Sequence, residues 1–253
     1  MNHYLSSASL KTLAKGQLLG KYGTVIGAMI LMQLCTLPLS MAVSFLIGTD
    51  TVVGVLMYSV AYFLIQLFMG FFLAGQTFIY LKAACGQKPE ISDLFHCFKG
   101  DTSRVLQLQA VLSGVSILCS LPAMIVGVFT NQSLTLLGTD TVSAQMLPVN
   151  PTLFLIYVIF YLAGTIISIY VSLMLSQVFY LMLDFPEYTA SQLLKMSIRL
   201  MKGSKGRLFY IQLSFLPLIL LSFLSCCIAL LWIYPYMQAT YANFYLDLIK
   251  KKN

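Results

Sequence analysis

The sequence predicts an all-α polytopic membrane protein with six transmembrane helices arranged as three helical hairpins. A short amphipathic interfacial helix is expected before each hairpin. Three observations carry this expectation. Hydrophobic residues make up 59% of the 253-residue chain and charged residues only 9%, against roughly 25% charged in an average soluble domain. Mean hydropathy is +0.86. The basic residues are gathered between long uncharged runs. With 15 basic and 8 acidic side chains, a water-soluble surface of this size cannot be covered. The same figures exclude collagen, coiled coil, a disordered tail and a disulfide-rich secreted scaffold.

A bilayer core of about 30 Å takes roughly 20 apolar residues per helix. Before the first span, Leu10, Leu13, Ala14 and Leu18 recur at helical spacing beside Lys11 and Lys15. Runs free of Asp, Glu, Lys and Arg at 22–49 and 51–81 form spans one and two, joined by the polar turn Gly48-Thr49-Asp50-Thr51. Ile91, Leu94, Phe95 and Phe98 then form the apolar face of a second interfacial helix, stopped at Gly100. Spans three and four come from the runs 105–139 and 141–183, separated by a polar loop over 130–151. Thr189 and Gln192 fit a capping box that opens the third interfacial helix. Its apolar stripe is Ala190, Leu194, Ile198 and Met201, its cationic stripe Lys195, Arg199 and Lys202, and Gly203 its stop. The last run, 208–246, is too long for one helix and is split near Ser225-Cys226-Cys227 into spans of about 208–224 and 229–249.

These elements make one membrane domain of three repeats, at about 4–81, 89–183 and 187–249. Shared landmarks support the repeat. Phe98-Lys99-Gly100 with Arg104 parallels Met201-Lys202-Gly203 with Arg207, and Pro89-Glu90 parallels Pro186-Glu187. Near the inner ends of the even spans stand Gln76-Thr77-Phe78, Gln177-Val178-Phe179 and Gln238-Ala239-Thr240-Tyr241.

All 15 cations fall in four places: before span one, between spans two and three, between spans four and five, and at the C-terminal Lys250-Lys251-Lys252. Six spans put all four on one side, leaving Asp50 and Asp140 opposite. Basic residues near span ends stay cytoplasmic, so both termini are expected inside the cell membrane. The net charge of +7 is then a topology signal and a means of touching anionic lipid headgroups. Nucleic-acid binding is excluded, since it needs a soluble basic face with stacking aromatics. Span one reads as retained, because it is long and lacks a small-residue cleavage site after a short apolar core. The cysteines at 35, 85, 97, 119, 226 and 227 have no metal spacing and read as small buried apolar residues. Asn131-Gln132-Ser133 matches a glycosylation acceptor only formally.

Chemistry-bearing signatures do not occur where an enzyme would need them. His3 and His96 belong to no metal motif, and His96 reads as an interfacial polar residue. No carboxylate lies deep in a span, and no histidine or lysine at membrane depth could activate the intramembrane serines. The chain is therefore expected to be no enzyme and to carry no cofactor or metal. What remains at membrane depth is uncharged and polar. Tyr58, Tyr62, Gln66 and Gly70 share a face of span two. Tyr157, Tyr161, Thr165, Ser168, Ser172 and Ser176 share one on span four, and Tyr234, Gln238, Tyr241 and Tyr245 one on span six, with Pro235 kinking the helix.

Two functional readings stand. The first is a non-enzymatic membrane scaffold or accessory protein whose Lys195, Arg199, Lys202, Lys205, Arg207, Lys99 and Arg104 contact anionic lipid, a membrane-protein partner or a second copy of the chain. The alternative is a transporter or channel-like binder of a small amphiphile, in a polar aromatic cavity lined by Tyr62, Gln66, Tyr161, Ser168, Tyr234, Gln238, Tyr241 and Tyr245. Interhelical hydrogen bonding would equally account for those polar stripes.

The C-terminal third carries a further signal. It contains Ser197-Ile198-Arg199-Leu200-Met201-Lys202-Gly203, Arg207-Leu208-Phe209 and Leu213-Ser214-Phe215. Leu230-Leu231-Trp232-Ile233-Tyr234-Pro235-Tyr236 and Thr240-Tyr241-Ala242-Asn243-Phe244-Tyr245 follow. Over about 183–249 this resembles domain-of-unknown-function family 975, bacterial integral membrane proteins common in Gram-positive lineages. The resemblance implies a multi-pass protein of the cytoplasmic membrane, and brings no catalytic residue, substrate or cofactor. The repeat pattern is also similar to the membrane region attached to some bacterial glycerophosphodiesterases. These 253 residues hold no hydrolase domain, so no activity carries over.

Overall fold

The computed structural model describes residues 4–100, 102–129 and 151–252, and among them every regular element is helical. His3, Asp140, Asn131-Gln132-Ser133 and the loop residues 130–150 lie outside the described residues. Among the described residues five helical stretches are long and apolar enough to cross a membrane: Tyr22–Leu46, Val52–Ala84, Thr102–Phe129, Pro151–Asp184 and Lys205–Leu224. They present large apolar side chains outward; Phe45 is 92% exposed and Leu224 83%. Water penalises such surface at about 25 cal/mol per Å², while hydrocarbon does not. The last expected stretch is also a helix, Leu230–Lys252. Gln238, Asn243, Asp247 and its tyrosines make it more polar than those five.

The chain begins with α1 (Ser7–Leu18), whose N-cap Ser6 accepts from the Ser9 N–H at 3.1 Å. It ends before Gly20, in the left-handed region at φ +76. Its buried face is Leu10, Ala14 and Leu18. Leu13 faces outward, because one residue is a rotation of about 100° from Ala14. Helices α2 (Tyr22–Leu46) and α3 (Val52–Ala84) follow. Where a second interfacial helix is expected, the chain forms a 3-10 turn, Ile91–Phe95, running into α4 (His96–Lys99). Leu94 of the turn and Cys97 of α4 are buried. Ile91 and Phe95, expected on the apolar face, are exposed; Phe98 is half-buried with its ring against Phe71 and Phe72.

Next come α5 (Thr102–Phe129), α6 (Pro151–Leu175), α7 (Val178–Asp184) and α8 (Ala190–Leu200). The capping box on α8 is present, with Gln192 Oε1 accepting from the Thr189 N–H at 2.9 Å. Gly203 takes φ +83 just beyond its end. The buried stripe of α8 is Ala190, Leu193, Ser197 and Leu200, with Met201 following. It is shifted from the expected one, leaving Leu194 half-buried and Ile198 exposed. Ser197 causes the shift: its hydroxyl donates to the Met174 carbonyl at 2.9 Å. That carbonyl lies next to the interruption between α6 and α7 at Ser176-Gln177.

The expected split near Ser225-Cys226-Cys227 separates α10 (Leu216–Leu224) from α11 (Leu230–Lys252). Cys226 and Cys227 turn the chain in the left-handed region, at φ 49 and 65. Both are exposed, as are Cys35 and Cys85, whereas Cys97 is buried and Cys119 intermediate. The reading of all six as buried therefore holds for Cys97 alone. Helix α9 (Lys205–Leu213) is interrupted from α10 at Ser214-Phe215. The Ser214 carbonyl accepts from Lys11 Nζ at 3.0 Å. Backbone groups released by a helix break need such a donor wherever water is scarce.

The contacts divide the chain into two compact units. One comprises Met1–Cys35, Met69–Leu108 and Leu173–Asn253, the other Thr36–Phe68 and Gln109–Ser172. All fifteen lysines and arginines belong to segments of the first. Within that unit α1 packs along α11, and α7 against α8. A Cβ on Gly75 would meet the Leu94 carbonyl oxygen at 2.0 Å, so only glycine lets the 3-10 turn seat on α3. Within the second unit Gly164 plays the same part against the Cys119 carbonyl, a small-residue contact of the kind that packs membrane helices.

Candidate functional site

In the first unit, α3, the start of α7 and α11 each bring a glutamine followed three or four residues later by a tyrosine. These are Gln76 and Tyr80 on α3, Gln177 and Tyr180 at the start of α7, and Gln238 and Tyr241 on α11. One helical turn places each pair on one side of its helix. The Tyr234 hydroxyl donates to Gln76 Oε1 at 3.3 Å. Tyr180 stacks on Tyr245 with ring centroids 5.0 Å apart, and the Tyr245 hydroxyl donates to Asp184 Oδ2 at 2.6 Å. Tyr80 lies within electrostatic reach of both Tyr234 and Tyr180, and Tyr180 of Tyr234 and Tyr241. Gln76, Tyr80, Gln177 and Tyr180 are all buried.

A second polar layer ties the chain ends to this cluster. Gln17 and Asn243 exchange side-chain hydrogen bonds at 2.6 and 3.2 Å, and Gln17 Nε2 also donates to the Ala84 carbonyl at 2.9 Å. Arg207 pairs with Asp247 at 2.5 Å and donates to the Leu5 carbonyl at 2.6 Å, between the rings of Tyr4 and Phe244. Lys82 pairs with Asp93 at 2.8 Å, and Asp93 also accepts from the Glu90 N–H, which fixes the start of the 3-10 turn. The amine of Lys11 sits 4.0 Å above the Phe215 ring, and burial lowers its pKa.

The seven expected cationic contact residues divide by environment. Lys195 and Arg199 are exposed along α8 opposite Leu193 and Ser197, Lys202 is exposed in the turn that follows, and Lys99 is exposed at the end of α4. Lys205 is half-exposed. Arg207 is engaged with Asp247, and Arg104 Nη1 lies 3.4 Å from the carbonyls of Phe185 and Tyr188. Arg104 also borders a pocket of about 180 Å³ with His96, Cys97, Gly100 and Met182, smaller than the roughly 300 Å³ at which ligand pockets begin. Burial pushes the Cys97 thiol up to about 11, with Arg104 acting weakly the other way. His96 is exposed and stacks on Phe78 at 4.2 Å.

Of the expected cavity residues, Tyr234, Gln238, Tyr241 and Tyr245 belong to the first unit, and Tyr62, Gln66, Tyr161 and Ser168 to the second. Gln66 bonds within its own helix, its Nε2 donating to the Tyr62 hydroxyl at 2.6 Å. Tyr161 is exposed, and Ser168 is half-buried. Sequence reading used Gln76 and Gln177 as repeat landmarks and overlooked Tyr80, Tyr180 and Asp184. The signal that could have found them is the recurrence of a tyrosine one turn after each landmark glutamine.

No curated protein and no solved structure matches the chain. Residues 1–252 match the family described as protein of unknown function (DUF975). The match extends the C-terminal resemblance over the whole sequence, and the chain belongs to the DUF975 family of proteins of unknown function.

Proposed function

We propose that this protein is a non-enzymatic scaffold of the cell membrane that binds anionic lipid at its cytoplasmic face. Six spans in three hairpin repeats, with both termini inside, are the arrangement this reading requires. It rests on one observation above all. Helix α8 buries Ala190, Leu193, Ser197 and Leu200 while exposing Lys195 and Arg199, and the turn just beyond it exposes Lys202. A helix held by its apolar face, with cations outward and half-buried Leu194 beside exposed Ile198, matches the chemistry of an interfacial helix at phosphate depth. The capped N-terminus and left-handed glycine stop that α8 shares with α1 support the repeat. Each basic residue near an anionic surface contributes about 1 kcal/mol, so three contribute about a hundredfold in lipid preference. The test is the lipid retained when the full chain is extracted in native lipid discs. Changing Lys195, Arg199 and Lys202 together to Gln should abolish enrichment of anionic over zwitterionic lipid. Unchanged enrichment refutes the assignment.

The glutamine–tyrosine cluster favours a second reading, a binder of a small amphiphile within the helices. A metabolite retained in the same discs at one equivalent per chain would support it.

A further inference from the structure

The pocket of about 180 Å³ opens where α4 and the first turn of α5 meet the end of α7. Every residue lining it belongs to the first unit. Val105, Met182, Leu183 and Pro186 make its lining apolar, while His96 and Arg104 bring N–H donors. Among the described residues no carboxylate lines it; Asp184, next to Leu183, accepts from the Tyr245 hydroxyl at 2.6 Å. Cys97 adds no negative charge, because burial raises its thiol to about 11. Both donors are placed before any ligand arrives. The His96 ring stacks on Phe78 with centroids 4.2 Å apart. Arg104 Nη1 lies 3.4 Å from the carbonyls of Phe185 and Tyr188, and a guanidinium with five N–H donors can keep such contacts while it faces a ligand. The N-terminus of the 28-residue α5 adds positive partial charge at the same place.

Charge and size select the occupant. Arg104 repels a cation, and a neutral guest gains nothing from its charge. A phosphate group takes up two to three water volumes, roughly 60–90 Å³. The pocket therefore holds one phosphate and the first atoms of a single substituent, whereas a phosphodiester must find room on two sides. The planar guanidinium matches phosphate oxygens in spacing, and the imidazole, on a different helix, donates from a second direction whether neutral or protonated. We propose that His96 and Arg104 form a binding site for a terminal phosphate, borne by a lipid such as phosphatidic acid or by a soluble phosphomonoester. The site uses none of Lys195, Arg199 and Lys202, so it stands or falls separately from lipid binding at α8.

The experiment uses the full chain in phosphatidylcholine nanodiscs, which supply no phosphomonoester. In the soluble arm, glycerol 3-phosphate is titrated against chloride at equal ionic strength, so that screening is constant. At about ten times its Kd it should raise Tm by about 3–6 °C. In the lipid arm, phosphatidic acid is added to the discs, and native mass spectrometry should find one retained per chain. A response in the soluble arm assigns the site to a soluble ligand, and a response in the lipid arm alone assigns it to a lipid head. Arg104→Gln should weaken whichever ligand binds about tenfold or more. His96→Ala changes an exposed side chain that the fold can spare, and should weaken it several-fold. Changing Lys195, Arg199 and Lys202 together to Gln should leave this binding intact. No response in either arm, or binding that survives both Arg104→Gln and His96→Ala, overturns the proposal.

Discussion

Gly75→Ala tests how the 3-10 turn Ile91–Phe95 is seated on α3. The new Cβ would lie 2.0 Å from the Leu94 carbonyl oxygen, 2.6 Å from its carbon and 2.9 Å from Leu94 Cα. An ordinary carbon-to-oxygen contact is about 3.3 Å, so the 3-10 turn must withdraw by about 1.3 Å. All three atoms are backbone, and no rotamer change relieves them. Withdrawal also strains the Lys82–Asp93 pair and unseats Leu94, which is 0% exposed. Overpacking of this kind costs about 3 kcal/mol, against a gain of about 1 kcal/mol from replacing a helical glycine. The net loss of about 2 kcal/mol lowers Tm by about 4–8 °C for a chain of this length. Thermal unfolding in lipid nanodiscs reads it directly. Gly16→Ala in α1 is the control: nothing lies within 4 Å of its Cβ position, so it keeps only the propensity gain and should raise Tm slightly. If Gly75→Ala melts at or above the unaltered protein, the close approach is wrong and so is the argument for the glycine.

Other perturbations address different links. Asp247→Ala leaves the half-buried Arg207 guanidinium without its carboxylate and should cost about 1–3 kcal/mol; a double-mutant cycle with Arg207→Met should recover a positive coupling. Ser197→Ala removes the donor to the Met174 carbonyl at the break between α6 and α7, and should cost about 1–2 kcal/mol in thermal unfolding. Burial raises the Cys97 thiol from 9.0 to about 11, so at pH 8 its thiolate is about a hundredfold scarcer than in the unfolded chain. Maleimide labelling followed by mass spectrometry should show that ratio between native and denatured protein. The linked stability runs the same way. The folded state keeps this proton when the unfolded state has lost it, so the contribution is complete below pH 9 and is lost as pH rises toward 11.

Most of the helix inventory was legible in the sequence. The uncharged runs became α2, α3, α5 and α6, the Thr189–Gln192 capping box and the Gly203 stop took the expected forms, and the long C-terminal run turned at Cys226-Cys227. These features are local: hydropathy over twenty residues, a cap satisfying its own N–H, a chain reversal within four residues. Helix orientation about the axis was less legible. The buried face of α8 runs through Leu193 and Ser197 instead of Leu194 and Ile198, because Ser197 reaches a carbonyl 23 residues earlier. The interruption at Ser176-Gln177 had no proline to mark it, whereas the one at Ser214-Phe215 stands just before Pro217 in the first turn of α10; each is answered by a donor from a short helix, α8 or α1.

The sequence by itself determined that this is a helical protein with apolar stretches of membrane-crossing length and cations confined to a few segments. Those are properties of single residues and their neighbours along the chain. Only the tertiary structure decided which polar side chains meet. It tied Arg207 to Asp247, joined Gln17 to Asn243, and set Tyr234 against Gln76 and Tyr245 against Asp184. The physical reason is that a buried hydrogen bond depends on two groups meeting at about 3 Å. No window of sequence contains a distance between residues 76 and 234.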